Sequence, residues 1–265
     1  MAVTGAEPME GGWSAGQYSK FLDARTRPAR DLLAAVPLET AQEVTDLGSG
    51  PGNSTALLRA RFGAARITGT DTDADMLRTA RAALPDCHFE AADIATWAAA
   101  RPQDLVYANA SLQWIPDHRQ LFPRLLAQLS PGGVLAVQMP DNLDEPTHIA
   151  MREISADPRW ADRLTAARAR RVPLLTPPEL HALLRADCRQ LDIWRTVYQV
   201  ELTGTDAVTQ WFLGSALRPL LAPLSEAERA EFLDAFRARI APFYPERGGR
   251  VLLPFPRAFF VATRA

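Results

Sequence analysis

The chain is poor in the residues that would point to a metal, a disulfide or a membrane. Two cysteines, Cys87 and Cys188, stand alone in 265 residues. That is too few for a disulfide framework, so two free thiols in a reducing, cytoplasmic setting are expected. The four histidines, His88, His118, His148 and His181, show no ligand spacing, and no metal is expected. No apolar run approaches the length of a membrane span. The first residues, MAVTGAEPMEGG, lack both a basic and an apolar segment, so residues 1–12 read as a disordered tail rather than a signal peptide. Lysine is nearly missing: Lys20 is the only one, and arginine supplies the rest of 29 basic side chains against 31 acidic ones. The net charge of −2 implies no general attraction to nucleic acid. The arginine bias also makes any single arginine weak evidence of function.

What is present is organised around Glu43 to Thr55, EVTDLGSGPGNST. An apolar run ends in Asp46, Gly48, Gly50 and Gly52 follow, and a helical pattern starts near Ser54. This predicts a strand that drops into a turn passing close to a ligand, where a Cβ or a negative φ would be in the way. Backbone N–H groups at the following helix N-terminus suit the polar end of that ligand. The dinucleotide fingerprint G-x-G-x-x-G fails, because Asn53 stands where its third glycine would be. A second strand, Arg66 to Thr70, leads to Asp71, placed to hold ribose hydroxyls. Loop and acid together predict a nucleoside-type cofactor.

A helix is expected over Trp13 to Arg25, and another from Pro28 to about Val36. Helices follow the first two strands, the second using Met76, Leu77 and Ala80 as its inner face. Strand three, His88 to Ala91, leads to Asp93 and Ile94. These two either embrace an adenine ring, acid on the amine and aliphatic chain on the face, or begin a helical turn through Trp97. Strand four, Asp104 to Ala108, ends at Asn109, where ligands bind in open α/β sheets, and Gln113 and Trp114 come next. The turn Ser130 to Gly133 precedes strand five, Val134 to Met139. Strand–helix alternation this far predicts a doubly wound parallel sheet of Rossmann-like α/β class. In the second half, His148 to Ser155 and Trp160 to Arg170 are helix candidates. Thr176 to Glu179 and Ser225 to Glu228 are capping boxes. Strand six is expected near Leu191 to Leu202 and the last strand over Val251 to Ala262, with Pro254 and Pro256 opposing central pairing at its start. Residues 13–265 therefore form one domain, with helical lid insertions at about 141–175 and 204–249 on the ligand edge. A covered edge suggests a small substrate kept from water.

The D-x-G-x-G-x-G loop resembles the first motif of class I S-adenosylmethionine-dependent methyltransferases. FLDARTRPARDLL (21–33), DLGSGPGNST (46–55), ADIATW (92–97), ANASLQWIPDH (108–118), PGGVLAVQMPDN (131–142) and LLPFPRAFFVATR (252–264) narrow this. From Trp13 to Arg264 the chain resembles the trans-aconitate 2-methyltransferase family. The resemblance implies S-adenosyl-L-methionine as cofactor and a monomethyl ester of trans-aconitate as product. It implies cofactor contacts from Asp46, Gly48, Ser49, Gly50, Gly52, Asn53, Asp71, Asp93, Ile94 and Asn109. Ser49 holds a position that is often cysteine in such relatives, and its side chain is not needed for backbone contacts. A carboxylate acceptor is already ionised at neutral pH, so no general base is expected and none is assigned, His118 and His148 included. Cationic forks are expected on the carboxylates that do not react. Arg218 and Arg257 are the candidates, with Tyr18, Gln113 and Trp114 lining the pocket, and Arg25, Arg27 and Arg30 read as a solvated helix face. Two other readings remain: a related methyltransferase with another small acceptor, and a cofactor-binding protein without turnover.

Overall fold

In a computed structural model of the chain, the described residues are 22–169, 171, 173–204 and 206–265, with side chains from Thr26 onward. Tyr18, the expected tail and the expected first helix up to residue 21 lie outside them.

Seven strands form one sheet: β1 (Glu43–Leu47), β2 (Arg66–Asp71), β3 (His88–Ala91), β4 (Gln103–Asn109), β5 (Leu129–Pro140), β6 (Cys188–Thr203) and β7 (Arg250–Arg264). Their order is β3-β2-β1-β4-β5-β7-β6. The first five pair in parallel, and β7 runs antiparallel between β5 and β6. Strand order reverses between β1 and β4, so the ligand crevice of such a sheet opens at the carboxyl ends of these two strands.

The helices are α1 (Leu22–Ala34), α2 (Asn53–Arg61), α3 (Ala74–Ala83), α4 (His118–Ala127), α5 (Pro146–Ser155), α6 (Thr165–Arg168), α7 (Pro177–Leu184), α8 (Ala207–Leu213), α9 (Arg218–Leu221) and α10 (Glu226–Ile240). Alternation along β4 and β5 sends side chains to two layers. Leu105, Tyr107, Val134 and Ala136 pack with α1, α2, α5, α8 and α10. Val106, Ala108, Leu135 and Val137 pack with α4 and α7. Both faces of the central strands are thus apolar, as a parallel sheet covered on two sides requires.

Several expectations change. One helix, α1, runs through Pro28, where a new helix was expected. Proline removes one helical N–H, but burial of Ala29, Leu32 and Leu33 holds the helix on the sheet. The Tyr107 hydroxyl also donates to Ala29 O at 2.6 Å, and the Tyr198 hydroxyl to Asp31 Oδ2 at 2.6 Å. Strand β5 begins at Leu129 and absorbs the expected turn. A register shift against Gln103 and Leu105 forms a bulge there, and Gly132 takes φ +79°. Of the helix expected over Trp160 to Arg170, only Thr165–Arg168 is helical. Trp160 instead anchors a run of turns, with its indole buried and Nε1 donating to Ile154 O at 2.7 Å. Met76 is only half-buried on α3, where Leu77 and Ala80 face inward.

Both capping boxes form, at Thr176 and Ser225. Pro254 and Pro256 pair only with β6, because β5 ends at Pro140 opposite Arg257. Beyond that point β6 and β7 continue as a two-stranded ribbon that carries α8 to α10.

The insertion after β5 is joined to α10 through Trp160 and Phe232, rings 5.7 Å apart and both buried. Phe232→Ala should lower unfolding free energy by about 3–5 kcal/mol in urea titrations, as cavity formation at a closed aromatic site does.

Candidate cofactor and acceptor site

The three loop glycines all have positive φ: +71° at Gly48, +54° at Gly50 and +94° at Gly52. A Cβ on Gly48 would lie 2.4 Å from Ser111 Cβ, so the loops after β1 and β4 touch there. The Ser111 hydroxyl closes that contact by donating to Leu47 O at 2.6 Å. A Cβ on Gly50 would meet nothing within 4 Å, which leaves that side of the turn open. The Gly50 N–H donates to Asp71 Oδ2 at 2.9 Å, and the Asp73 N–H to Asp71 Oδ1 at 2.9 Å. Asp71 thus ties the glycine turn to the tip of β2 and keeps further lone pairs for a ligand hydroxyl. Asn53 opens α2, and Ser49 is buried with its N–H on Thr70 O at 2.8 Å.

Asp46 lies beneath this loop with no exposure. Its Oδ2 accepts from Ser54 Oγ and Thr55 Oγ1, each at 2.7 Å, and its Oδ1 has no partner among the described residues. Burial raises its pKa from 3.8 to about 6, the two hydroxyls pull it down, and the charge of Asp71 pushes it up. A buried carboxylate oxygen without a donor fits the ammonium of an amino-acid ligand.

A cavity of about 620 Å³ opens at the carboxyl ends of β1 and β4. Gly48, Asp71, Asp93, Ile94, Trp114 and Arg218 are among its lining residues. Asp93 borders this space, and its Oδ1 accepts the Ala95 N–H at 2.9 Å to start the turn. Arg218 arrives from the segment between β6 and β7, with Ser215 and Pro219. The glycine cradle, the acid at the tip of β2 and the open Asp46 oxygen therefore fit S-adenosylmethionine.

The other expected residues divide. Asn109 is half-buried with a solvent-shielded Oδ1 that has no partner among the described residues. Gln113 is turned inward: its Nε2 donates to Ala110 O at 2.6 Å, which supports the positive φ of +56° at Ala110. Gln113 is thus a brace for the loop rather than part of the cavity lining. Arg257 is buried on β7 opposite Pro140, with its guanidinium 3.9 Å from the Phe255 ring centroid. Arg218 thus lines the cavity, and Arg257 is not among its lining residues. Arg27 and Arg30 are exposed on α1 as expected.

Two residues were missed. Gln138 is fully buried in β5, and neither its Oε1 nor its Nε2 has a partner among the described residues. A glutamine inside the apolar run VLAVQM was a legible signal. Arg171 follows α6 and reaches back to the end of β5. Its Nη1 donates to Asn142 Oδ1 at 2.8 Å and its Nη2 to Pro140 O at 2.9 Å. In an arginine-rich stretch, nothing marked it. His148 on α5 is buried, and its pKa falls to about 3, first through burial and then through the charges of Arg171, Arg152 and Arg257. Three guanidinium groups thus act on one buried imidazole.

The model of a methyltransferase domain matches residues 44–133. A trans-aconitate 2-methyltransferase from Afipia carboxidovorans is 51% identical over 253 residues, covering 95% of this chain and 99% of the relative. One from Methylobacterium nodulans is 52% identical over 253 residues, covering 95% and 98%. Among solved structures, the YcgJ protein of a Bacillus aligns with a TM-score of 0.61 at 11% identity, covering 90% of this chain and 98% of the other. Phosphoethanolamine N-methyltransferase 2 from Haemonchus contortus, in complex with S-adenosyl-L-methionine, aligns at 0.53 and 16% identity, covering 90% and 52%. These two show the same fold.

Asp46 holds its proton more tightly folded than unfolded. Native stability should therefore fall as pH rises from about 4 to about 6, and the full penalty, on the order of 3 kcal/mol, stands above that range. Asp46→Asn should make the ligand-free protein more stable at pH 7.5 by about 1–3 kcal/mol, a gain that shrinks toward pH 4 in urea titrations. The same variant should bind S-adenosylhomocysteine at least about tenfold more weakly by calorimetry, since an open charged acceptor is lost.

Proposed function

Because the chain belongs to the trans-aconitate 2-methyltransferase family, we propose that it esterifies one carboxylate of trans-aconitate, with S-adenosylmethionine as methyl donor. The observation that carries the acceptor assignment is the set of arginines at the carboxyl edge of the sheet: Arg218 in the cavity wall and Arg171 beside Trp114, with the charges of Arg171, Arg152 and Arg257 acting together on His148. Such a place suits a polyanion and penalises a neutral or cationic acceptor.

The bound cofactor supplies a methyl group on a positively charged sulfur. The glycine loop, Asp46, Asp71, Asp93, Ile94 and Asn109 hold and orient it in this reading. The protein's remaining work is alignment and exclusion of water. The acceptor oxygen is already an anion, and His148, near 3, stays neutral and is a poor base. No side chain is needed to take a proton. Cations must instead hold the carboxylates that do not react, because a tight fork on the attacking oxygen would occupy its lone pairs. Arg257 on β7 and Arg218 at the cavity wall serve this from two sides, with Trp114 between cofactor and acceptor. The segments 141–175 and 204–249 act as the lid. Ser215, Arg218 and Pro219 on the cavity wall support the second of them. No helix among the described residues is long and apolar enough to cross a membrane. The thiols of Cys87 and Cys188 are free, which supports work in a reducing cytoplasm.

Incubation with methyl-labelled S-adenosylmethionine should put base-labile label chiefly on trans-aconitate, ahead of cis-aconitate, isocitrate and citrate. No label on any tricarboxylate, with S-adenosylhomocysteine still raising Tm, would overturn the acceptor assignment and leave the cofactor. With trans-aconitate, kcat/KM should stay level from about pH 7 to 9, because neither the acceptor nor His148 titrates there. A sigmoidal rise across that range would instead reveal a base.

A further inference from the structure

We propose that Arg171 is the specificity-determining residue of the acceptor site: it grips a carboxylate that does not react, and so makes the enzyme count the acceptor's negative charges. The inference rests on the trans-aconitate reading and adds to it a residue and a role.

Two neutral oxygens, Asn142 Oδ1 and Pro140 O, hold the guanidinium of Arg171 at the carboxyl end of β5. Its centre lies 5.9 Å from the ring centroid of Trp114, a residue of the cavity wall. The fork has five N–H donors, and these anchors use two. Its Nε is shielded from solvent and has no partner among the described residues. Among the described residues no carboxylate forms an ion pair with it. The nearest acid acting on it is Asp141, whose Oδ2 already accepts from Arg195 Nε at 2.6 Å. Burial accordingly lowers the Arg171 pKa to about 10.

This pattern differs from that of arginines that fasten the fold. Arg163 and Arg237 pair with Glu228 and Asp206 on the surface. Arg171 is aimed by neutral groups and retains its full charge, in the field it shares with Arg257 and Arg152 around His148. A half-buried guanidinium with a shielded Nε and no ion pair among the described residues is costly, and an incoming carboxylate offsets that cost with a charge-assisted fork. An acceptor lacking that carboxylate would enter and leave the charge buried and unmatched. Discrimination of this kind is much stronger than discrimination by shape alone.

Kinetics of wild type, Arg171→Met and Arg171→Lys test this on trans-aconitate and on three dicarboxylates that each lack one of its carboxylates: mesaconate, cis-glutaconate and itaconate. In Arg171→Met, KM for trans-aconitate should rise about 30- to 100-fold, as expected when one partner of a shielded charge pair is removed. Its kcat should change less than about threefold, because the fork does not touch the reacting oxygen. The wild-type preference for trans-aconitate over one dicarboxylate should collapse by the same factor as the rise in KM. Affinity for S-adenosylhomocysteine should stay within twofold by calorimetry. Arg171→Lys, which keeps charge but not the fork, should fall between and decides the matter if the methionine variant does not fold. An unchanged KM and preference, with wild type still making the ester, would overturn the role of Arg171 alone. Equal losses on every acceptor together with lost S-adenosylhomocysteine binding would make Arg171 a structural residue and overturn it as well. A wild type that esterifies no tricarboxylate would remove the acceptor reading first, and this inference with it.

Discussion

The site depends on a carboxylate that the fold keeps out of water. Asp46 sits at the end of β1 with one oxygen clamped by the hydroxyls of Ser54 and Thr55 and the other left open. The clamp fixes where α2 begins relative to β1, and so fixes the turn of three glycines between them. The turn is held again from outside, by Asp71 on the Gly50 N–H and by Ser111 packed against Gly48. Three strand ends, β1, β2 and β4, are thereby locked into one cradle. The burial that raises the cost of a charge on Asp46 is what gives its open oxygen value toward a cationic ligand group, since charge pairs strengthen as water is excluded.

The acceptor side follows a different rule. Strand β5 stops at Pro140, whereas β6 and β7 run on as a ribbon. The sheet thus has a step at its carboxyl edge. Arg257 stands at the step opposite Pro140, and Arg171 grips Pro140 from the other insertion. Gln138 lies fully buried one pleat below. The step also gives the ribbon room to carry α8 to α10 back over the crevice, where Arg218 and Pro219 join the wall of the cofactor cavity. Length of one antiparallel pair therefore decides both where the cations stand and what covers the crevice.

The elements of the candidate cofactor site were legible in the sequence, and those of the proposed acceptor site much less so. Glycines at close spacing after an apolar run, an acid before them and an acid at the next strand end are local signals, because each answers a backbone need within a few residues. Asp46, Gly48, Gly50 and Asp71 could be read for that reason. Arg171 could not, since its partners Asn142 and Pro140 are distant in the chain and its neighbours are also arginines. Gln113 was placed on this loop, but the brace it gives to the positive φ of Ala110 is not something sequence alone discloses. The run through Pro28 escaped for a related reason. Tertiary burial of Ala29, Leu32 and Leu33 outweighs the single hydrogen bond that proline withholds.

The two halves pose an electrostatic conflict, and their layout resolves it. A site crowded with guanidinium groups attracts a polyanion but also repels a sulfonium and competes for the attacking oxygen. The acids of this site, Asp46, Asp71 and Asp93, stand on the loops after β1, β2 and β3. Arg257, midway along β7, and Arg171 both stand beside Pro140 at the end of β5, with β4 between the two groups. In the proposed reading each charge of the reacting pair meets its opposite on different strands, and the residues over β4 that border the cavity, Ala110, Ser111 and Trp114, are themselves uncharged, while Arg218 lines the same cavity. Opposite reactant charges disappear there as the methyl passes, and a neutral, dry border gains more from that cancellation than a solvated one would. Neutral anchors on Arg171 serve the same end: a carboxylate anchor would have matched the cation before the acceptor arrived, and the acceptor's own charge would then have counted for little.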